Sequence, residues 1–525
     1  MAVSASAGNR SDREMMNIAR RQLAGSLTRG ADALRLEKMY QNEALAMIGD
    51  TLAGFVVVSR DAAQPAVLAL SPQAFCSSEA PEAFRWWLEA TSRRLTTGVT
   101  LTTRSVAPVD NFVKTHWDQL DPFNGLCPTD GGTRCPTGCV ATAMAQVMKY
   151  YNYPSQGRGT GFYTVGSSTR ERSVTINSTY DWDNMRANYT KSSGTNQKKA
   201  VQQLMYDAGC AVGMNYGKEG SSASNVYAAI AMFKNFSYDS LAVRYMYSEY
   251  YNEEEWAEAI YDELAQKSPI LYGGDTSKGG EGHAFLLTGN DAEGRVWINW
   301  GWGRGTEVGG YDGFFAIDGM LLETYLFDSS NDMVMGFRPH LPTNDDVVQS
   351  QWCSDAPYTV KALDDGRIEV AIPSFFNYST LHFQGMLYYL FTNTQTGESR
   401  TEVMMDLKRQ IVPPFYGFVS DDDDEFMRDT LSIGRLAAGA YELTIASKAT
   451  GEKVPTAMRT IGGIHKVKLT KGSDGTVAIE GGETAISAPG RVQRGDDRTF
   501  DLYGRRSSQT SSGIHIRNGR KFVQK

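Results

Sequence analysis

The most restrictive feature of this sequence is a cysteine placed directly before a helical pattern. Cys139 follows Gly138, and the apolar residues after it recur at helical spacing until Pro154. This pattern predicts a helix with one apolar face and with Cys139 in its first turn. The unpaired N–H groups and the dipole at such an end favour a thiolate. Cys139 is therefore either a reactive thiol or, as is more common for cysteine, a buried structural residue.

A reactive thiol needs a base, and one of the six histidines has a suitable position. His283 follows Gly282 and precedes the apolar residues 284–287, which predict a strand that fixes the imidazole. It lies 144 residues after Cys139, and papain-like enzymes place their histidine roughly 130–150 residues after the cysteine. The alternative interpretation is an ordinary histidine at a strand end. His116 is a competing base, better explained as a loop residue.

Two further features complete a catalytic pattern. A strand-like segment ends in Asn299 and Trp300; the amide can hold the histidine tautomer, and the indole can shield that bond from water. Gln119 precedes Cys139 by 20 residues and can donate to a developing oxyanion, beside the Cys139 N–H. Aromatic core packing is the alternative for the tryptophans. The order Gln, Cys, His, Asn-Trp is specific for thiol catalysis, although each residue alone is weak evidence.

Composition excludes several other classes of protein. The 525 residues are enough for about three to four domains at roughly 150 residues each. The net charge of −8 argues against a nucleic-acid binder. We expect no transmembrane segment, since no apolar run approaches the roughly 18 residues that one needs. The six cysteines include no CxxC pair, so neither a structural zinc nor a disulfide scaffold is predicted, and no cofactor is expected.

The sequence divides into four predicted segments with an α+β fold class. Residues 1–104 predict a small α/β unit, with helices near 15–27 and 81–88, strands at 55–58 and 66–70, and an exposed basic connector at 93–104. Residues 105–340 carry the catalytic pattern. Residues 341–455 predict a β-sandwich-like domain, and residues 456–525 a short β-rich tail domain. The acidic run at 421–425 predicts a solvated loop, with a calcium site as the alternative.

Several motifs resemble the streptopain family of cysteine peptidases. They cover residues 105 to about 340 and comprise residues 117–154, Met214–Gly217, Ser221–Ser224, Glu255–Leu264, Pro269–Gly274, Gly282–Phe285 and Asn299–Gly303. The resemblance implies a papain-like fold acting on protein or peptide substrates, with Cys139 as nucleophile and His283 as general acid and base. It also implies that Gln119 helps form the oxyanion hole and that Asn299 and Trp300 orient the histidine.

The same resemblance implies a substrate cleft and a zymogen. Gly282, Ala284, Ser221 and Ser222 would line a cleft that accepts a hydrophobic side chain two positions before the cut bond. Residues 1–104 would be an inhibitory prodomain, with the activation region at 95–106. Two departures from the family, at 277–281 and 304–310, put that substrate preference in doubt.

The two ends of the sequence bear on localisation. The N-terminus lacks a basic segment followed by an apolar one, so the protein is either cytosolic or begins after a removed signal peptide. Since family members are secreted, the resemblance favours the second. Residues 501–521 resemble C-terminal tails of secreted proteins of Gram-negative bacteria, which implies export and attachment to the cell surface.

Two other functions fit parts of this pattern. The same catalytic residues could serve an acyltransferase or transglutaminase-like activity, which an added amine acceptor would reveal. Alternatively, the β-rich C-terminal half could act in adhesion beside an idle peptidase domain. The intact Cys139 and His283 argue against an idle domain.

Overall fold

A computed structural model gives the fold. It describes residues 8–26, 34–75, 80–98, 100–275, 282–303, 310–317, 330–340, 350–354, 356–418, 426–480, 499–501, 513–517 and 520–524. The chain forms two compact units: the first comprises Met1–Ser248 and Glu253–Asn344, and the second Glu249–Asn252 and Asp345–Lys525.

The first unit combines helices with antiparallel sheet, as the α+β prediction requires. Its helices are α1 (Asp12–Ser26), α2 (Glu82–Thr96), α3 (Cys139–Tyr151), α4 (Thr195–Ala211), α5 (Asn225–Lys234) and α6 (Glu253–Ala265). Its strands are β1 (Glu37–Gln41), β2 (Leu45–Asp50), β3 (Gly54–Ser59), β4 (Val67–Ser71), β5 (Thr129–Asp130), β6 (Thr133–Arg134), β7 (Thr160–Val165), β8 (Arg172–Thr175), β9 (Asn215–Tyr216), β10 (Arg244–Tyr247), β11 (Ile270–Asp275), β12 (Gly282–Asn290), β13 (Arg295–Asn299), β14 (Gly313–Ala316) and β15 (Ser330–Met335).

One ten-stranded sheet runs through this unit, in the order β1-β2-β3-β4-β14-β13-β12-β11-β15-β10. The strands β1 to β4 come from the N-terminal segment, and β4 pairs with β14 through Leu70 opposite Phe314 and Ala69 opposite Phe315. The N-terminal segment therefore extends the sheet that carries His283. Helices α3 and α6 contact β12, while α1 contacts β3.

The N-terminal segment follows the predicted pattern with one difference. Met15, Ala19 and Leu23 of α1 are fully buried, as their helical spacing predicts. Helix α2 does not end near residue 88 but continues to Thr96, into the stretch predicted as a connector. Arginine and leucine are good helix formers, and residues 89–97 contain no Gly or Pro, so the helix has no reason to stop before Thr96.

Helix α3 begins where the sequence predicts. Its cap, Gly138, has φ 87°, which glycine adopts readily. A Cβ at Gly138 would lie 2.6 Å from the Met214 side chain, so any larger residue would also collide. Residues 140–148 are buried without interruption, so α3 is a central helix with its first residue at the edge of the core.

The second unit is β-rich around one hydrophobic core. Its strands are β16 (Trp352–Ser354), β17 (Thr359–Ala362), β18 (Arg367–Ile372), β19 (Phe375–Asn377), β20 (Gly385–Asn393), β21 (Ser399–Asp406), β22 (Gly417–Phe418), β23 (Met427–Ser432), β24 (Gly439–Ala449), β25 (Thr456–Ala457), β26 (Arg459–Thr460), β27 (Gly463–Ile464), β28 (Val467–Lys471), β29 (Val477–Ile479), β30 (Thr499–Asp501), β31 (Gly513–Arg517) and β32 (Arg520–Gln524). Trp352, Ile368 and Leu443 come from three different sheets and share that core, as layered sheets require.

Some predicted features lie outside the described residues. These are the acidic run 421–425 with its alternative calcium site, the departure at 277–281, residues 304–309 of the second departure, and much of the tail between β30 and β32. Within the described part of the chain, no helix is long and apolar enough to cross a membrane.

Candidate active site

Cys139 is the first residue of α3 and is half-buried. The preceding turn is closed by Thr142, whose backbone N–H and hydroxyl both donate to the Gly138 carbonyl at 3.0 Å. The Ser221 hydroxyl donates to the Pro136 carbonyl at 2.8 Å, which holds the 221–222 loop beside this turn. The thiol therefore lies at the N-terminus of a fixed helix, where the partial positive charge favours a thiolate.

His283 is the second residue of β12 and lies opposite Gly274 of β11. Its Nε2 is 2.8 Å from the Trp300 carbonyl oxygen, and its ring stacks on Trp302 with centroids 5.2 Å apart. A carbonyl oxygen can only accept, so Nε2 carries a proton and Nδ1 of the neutral ring is left with its lone pair. Burial lowers the pKa of His283 to about 4, although the Trp300 carbonyl opposes this shift.

The Asn299 side chain is engaged away from the imidazole. Its amide nitrogen donates to the Thr115 carbonyl at 2.7 Å and to Gln146 Oε1 at 3.1 Å. Its oxygen accepts from the Gly301 N–H at 3.1 Å and from Gln146 Nε2 at 3.3 Å. Sequence reasoning expected this amide to bind the histidine ring. Instead, His283 is bound by the backbone carbonyl of the next residue, Trp300.

The Trp300 indole packs near the His283 imidazole, but the bond between Asn299 and His283 that it is predicted to shield is not formed. Its ring is buried, with its centroid 6.5 Å from that of His283 and 4.9 Å from that of Phe285. It also meets Phe315 edge-to-face at 5.3 Å. The indole is therefore one wall of the histidine environment, in addition to the contact that its backbone makes.

Gln119 lies next to the turn that precedes Cys139. Its carbonyl accepts from the Thr137 N–H at 2.9 Å, two residues before the thiol. Its side chain is largely buried at 8% exposure and has no hydrogen bond to another described residue. An amide with unused N–H groups at this position is suited to an incoming oxyanion.

The four predicted cleft residues fall in two places. Ser221 lies beside Gly138, and Ser222 makes a two-way backbone bridge with Asn215, with N–O distances of 3.0 and 2.9 Å. Gly282 is exposed at the start of β12, whereas Ala284 is 4% exposed and lies opposite Gly273. Ser221 therefore lies beside the turn that precedes Cys139, and Gly282 and Ala284 flank His283 along β12.

Sequence reasoning missed two polar residues of the site. Gln146 is fully buried on α3, and its Oε1 accepts from the Thr115 hydroxyl at 2.9 Å and the Trp117 N–H at 3.3 Å. Asp312 is buried before β14 and pairs with His116 Nδ1 at 3.0 Å. The signal for Gln146 was its position seven residues after Cys139, two helical turns along α3. Asp312 has no local sequence signal.

The described part of the chain holds no group of three or more His, Cys, Asp or Glu residues that could bind a metal ion. Cys127 and Cys135 are both buried free cysteines.

Known proteins are similar to this chain. Residues 117–315 match the model of the Peptidase C10 family. Streptopain of Streptococcus pyogenes is 31% identical over 294 residues, which cover 51% of this chain and 72% of streptopain. The thiol protease/hemagglutinin PrtT of Porphyromonas gingivalis is 29% identical over 276 residues, which cover 48% of this chain and 31% of PrtT.

A solved structure is also similar. A fragment of prointerpain A from Prevotella intermedia matches with 31% identity and a TM-score of 0.52, covering 59% of this chain and 100% of the fragment. The predicted papain-like α+β fold and the predicted family are confirmed. The chain therefore belongs to the streptopain family, Peptidase C10, and is a cysteine peptidase.

Proposed function

We propose that this peptidase is a secreted endopeptidase, made as a self-inhibited zymogen, that cuts proteins with Cys139 and His283. The observation that carries the proposal is the 2.8 Å hydrogen bond between His283 Nε2 and the Trp300 carbonyl. It fixes the tautomer in which Nδ1 can accept a proton. Cys139 supplies the matching acid at the start of α3.

The proposed reaction has two halves. His283 Nδ1 takes the thiol proton, and the Cys139 sulfur attacks the peptide carbonyl to form a carbon–sulfur bond. Gln119 and the Cys139 N–H donate to the resulting oxyanion. The imidazolium then protonates the departing amine as the C–N bond breaks. In the second half, His283 takes a proton from water as the water oxygen attacks the thioester carbonyl; the C–S bond then breaks, the acid is released, and the imidazolium returns its proton to the Cys139 sulfur.

The N-terminal segment is the proposed inhibitor of this site. Besides the pairing of β4 with β14, the Ser71 hydroxyl donates to the Asp312 carbonyl at 2.7 Å. Trp87 of α2 meets Phe315 edge-to-face at 5.0 Å, and Phe315 in turn meets Trp300. A continuous set of aromatic contacts thus joins the inhibitor to the residue that holds His283.

Specificity, domain boundaries and export are further parts of the proposal. The preference for a hydrophobic side chain two positions before the cut is supported by the family resemblance and by the small residues Ser221 and Ala284 at the site. The boundaries at 104, 340 and 455 are proposed from sequence pattern. Export and surface attachment rest on the family resemblance and on the tail, and no nucleic-acid partner is proposed.

The histidine environment predicts a pH dependence of stability. The folded-state pKa of His283, about 4, lies below its ordinary 6.5, so between these values the unfolded chain binds a proton that the folded chain does not. The contribution of His283 to the free energy of unfolding should therefore be fully present above about pH 6.5 and should be lost as the pH drops towards the folded-state pKa. We compare the single variant Cys139→Ala with the double variant Cys139→Ala/His283→Ala by urea unfolding. When the pH is lowered from about 7.5 to about 4.5, the free energy of unfolding should fall by about 2–3 kcal/mol more in the single variant than in the double variant. Equal losses in both chains would contradict the buried neutral imidazole.

Intact mass over time tests the proposed function. Under reducing conditions, the wild-type chain should lose about its first hundred residues, a length set by the segment before 105, while Cys139→Ala stays whole. Wild-type enzyme added in trace amount should then trim the Cys139→Ala chain at the same place. If the wild type and Cys139→Ala are trimmed alike without added enzyme, a contaminant is cutting and self-activation has no support.

A further inference from the structure

One buried carboxylate connects three parts of the catalytic unit. Asp312 is 3% exposed and lies just before β14. Its Oδ1 accepts from the Trp300 N–H at 3.0 Å, and its Oδ2 is 3.0 Å from His116 Nδ1. A carboxylate at this burial costs several kcal/mol of desolvation unless its oxygens are well bonded, which these two contacts provide.

The first contact bears on the histidine. Asp312 holds the N–H of Trp300, and the carbonyl of the same residue holds His283 Nε2 at 2.8 Å. Fixing one end of a residue restricts the direction in which its other end points. Two hydrogen bonds in series therefore join the Asp312 carboxylate to the imidazole, with one residue between them.

The second contact bears on the oxyanion side. His116 lies three residues before Gln119, and its backbone N–H donates to the Ala187 carbonyl at 2.9 Å. Its ring is 11% exposed, and Nδ1 faces the carboxylate, so Nδ1–H donates to Asp312. Asp312 thus touches both the segment that carries Gln119 and the residue that binds His283.

We propose that Asp312 and His116 are positioning residues that hold the Trp300 carbonyl where His283 Nε2 donates to it. The inference rests on the proposed role of His283 as the base. Neither residue touches the substrate in this account. Their effect is on the orientation of the imidazole, so substitutions should lower kcat while KM stays nearly constant.

Asp312→Asn is the main test, in enzyme released from its first hundred residues at an engineered site by an unrelated protease. The amide keeps the shape but loses the charge and one acceptor. We expect kcat to fall roughly 10–100-fold with KM within about twofold, as for a misplaced catalytic group. His116→Gln, which can still donate to Asp312, should keep more activity than His116→Leu.

Asp239→Asn is the matched control. Asp239 is also a buried carboxylate in the first unit: the Leu241 N–H donates to it at 2.8 Å, and His340 Nδ1 lies 3.7 Å from it. The Asp239→Asn variant should lose stability yet keep the kcat of the wild type. A kcat of Asp312→Asn equal to that of Asp239→Asn would overturn the inference. If Asp312→Asn does not fold, the His116 variants decide: equal kcat values for His116→Gln and His116→Leu would overturn the inference.

His283→Ala separates this inference from the proposed function. If His283→Ala is inactive while Asp312→Asn resembles the control, only the positioning role fails. If His283→Ala itself keeps normal activity, the proposed base is wrong and the positioning role falls with it.

Discussion

Replacing Cys139 with alanine is expected to lower kcat/KM for peptide hydrolysis by roughly 10³-fold or more, because the carbon–sulfur intermediate can no longer form. The substitution removes one partly buried sulfur from the first residue of α3 and leaves the helix intact. The fold should therefore survive with little loss of stability. The measurement is hydrolysis of an unstructured protein substrate by chains released at the same engineered site.

Cys210→Ala is the control for loss of a thiol as such. Cys210 is fully buried in α4, and burial raises its pKa to about 12, so it remains a protonated thiol at neutral pH. A group of this kind cannot serve as a nucleophile. Its removal should reduce stability but leave kcat near that of the wild type. Comparable losses of kcat in both variants would show that Cys139 has no special role.

Trp87→Ala is expected to have the second-largest effect, on latency. Trp87 is fully buried, and its indole meets Phe315 of the peptidase segment. Its neighbour on α2, Phe84, meets Tyr311 with ring centroids 4.8 Å apart. Truncating such a residue typically costs about 3–5 kcal/mol. Every ~1.4 kcal/mol changes an equilibrium constant tenfold. If even part of this energy is lost from the docking of the N-terminal segment on the peptidase segment, the first self-cut should be faster by at least about tenfold.

Trp86→Ala offers a close comparison, because the same side chain is removed from a partly exposed position one residue away on α2. It should change the rate of the first cut far less than Trp87→Ala does. Both rates are read from intact mass under reducing conditions at several protein concentrations, which separates cutting within one chain from cutting between chains. Equal rates for the two variants would argue against aromatic docking as the source of latency.

The helix that carries Cys139 could be predicted because its information is local. Apolar spacing after residue 139, glycine before it and Pro154 beyond it determine where α3 starts and stops. The strand that carries His283 could also be predicted from local sequence, since residues 284–287 are apolar, and all of them are buried. Both elements would form at these positions in any compact fold that uses their apolar faces.

The partners of the histidine were less accessible to sequence reasoning. Every residue has a backbone carbonyl, so nothing in the sequence marks Trp300 O rather than the Asn299 amide as the acceptor. The pair of His116 and Asp312 spans 196 positions and is created only when the segment before Gln119 meets the turn before β14. Contacts of this kind depend on sheet topology, so they cannot be predicted from the local patterns of a single sequence.

The most direct test of the account is covalent labelling by a peptidyl chloromethyl ketone, which reports the nucleophile and its base together. After release of the N-terminal segment at neutral pH, peptide mapping should find one adduct, on Cys139, in the wild type. His283→Ala should label at Cys139 far more slowly, because no base removes the thiol proton. Labelling at another cysteine, or an equal rate at Cys139 in both chains, would contradict the assignment of Cys139 and His283 as the catalytic pair.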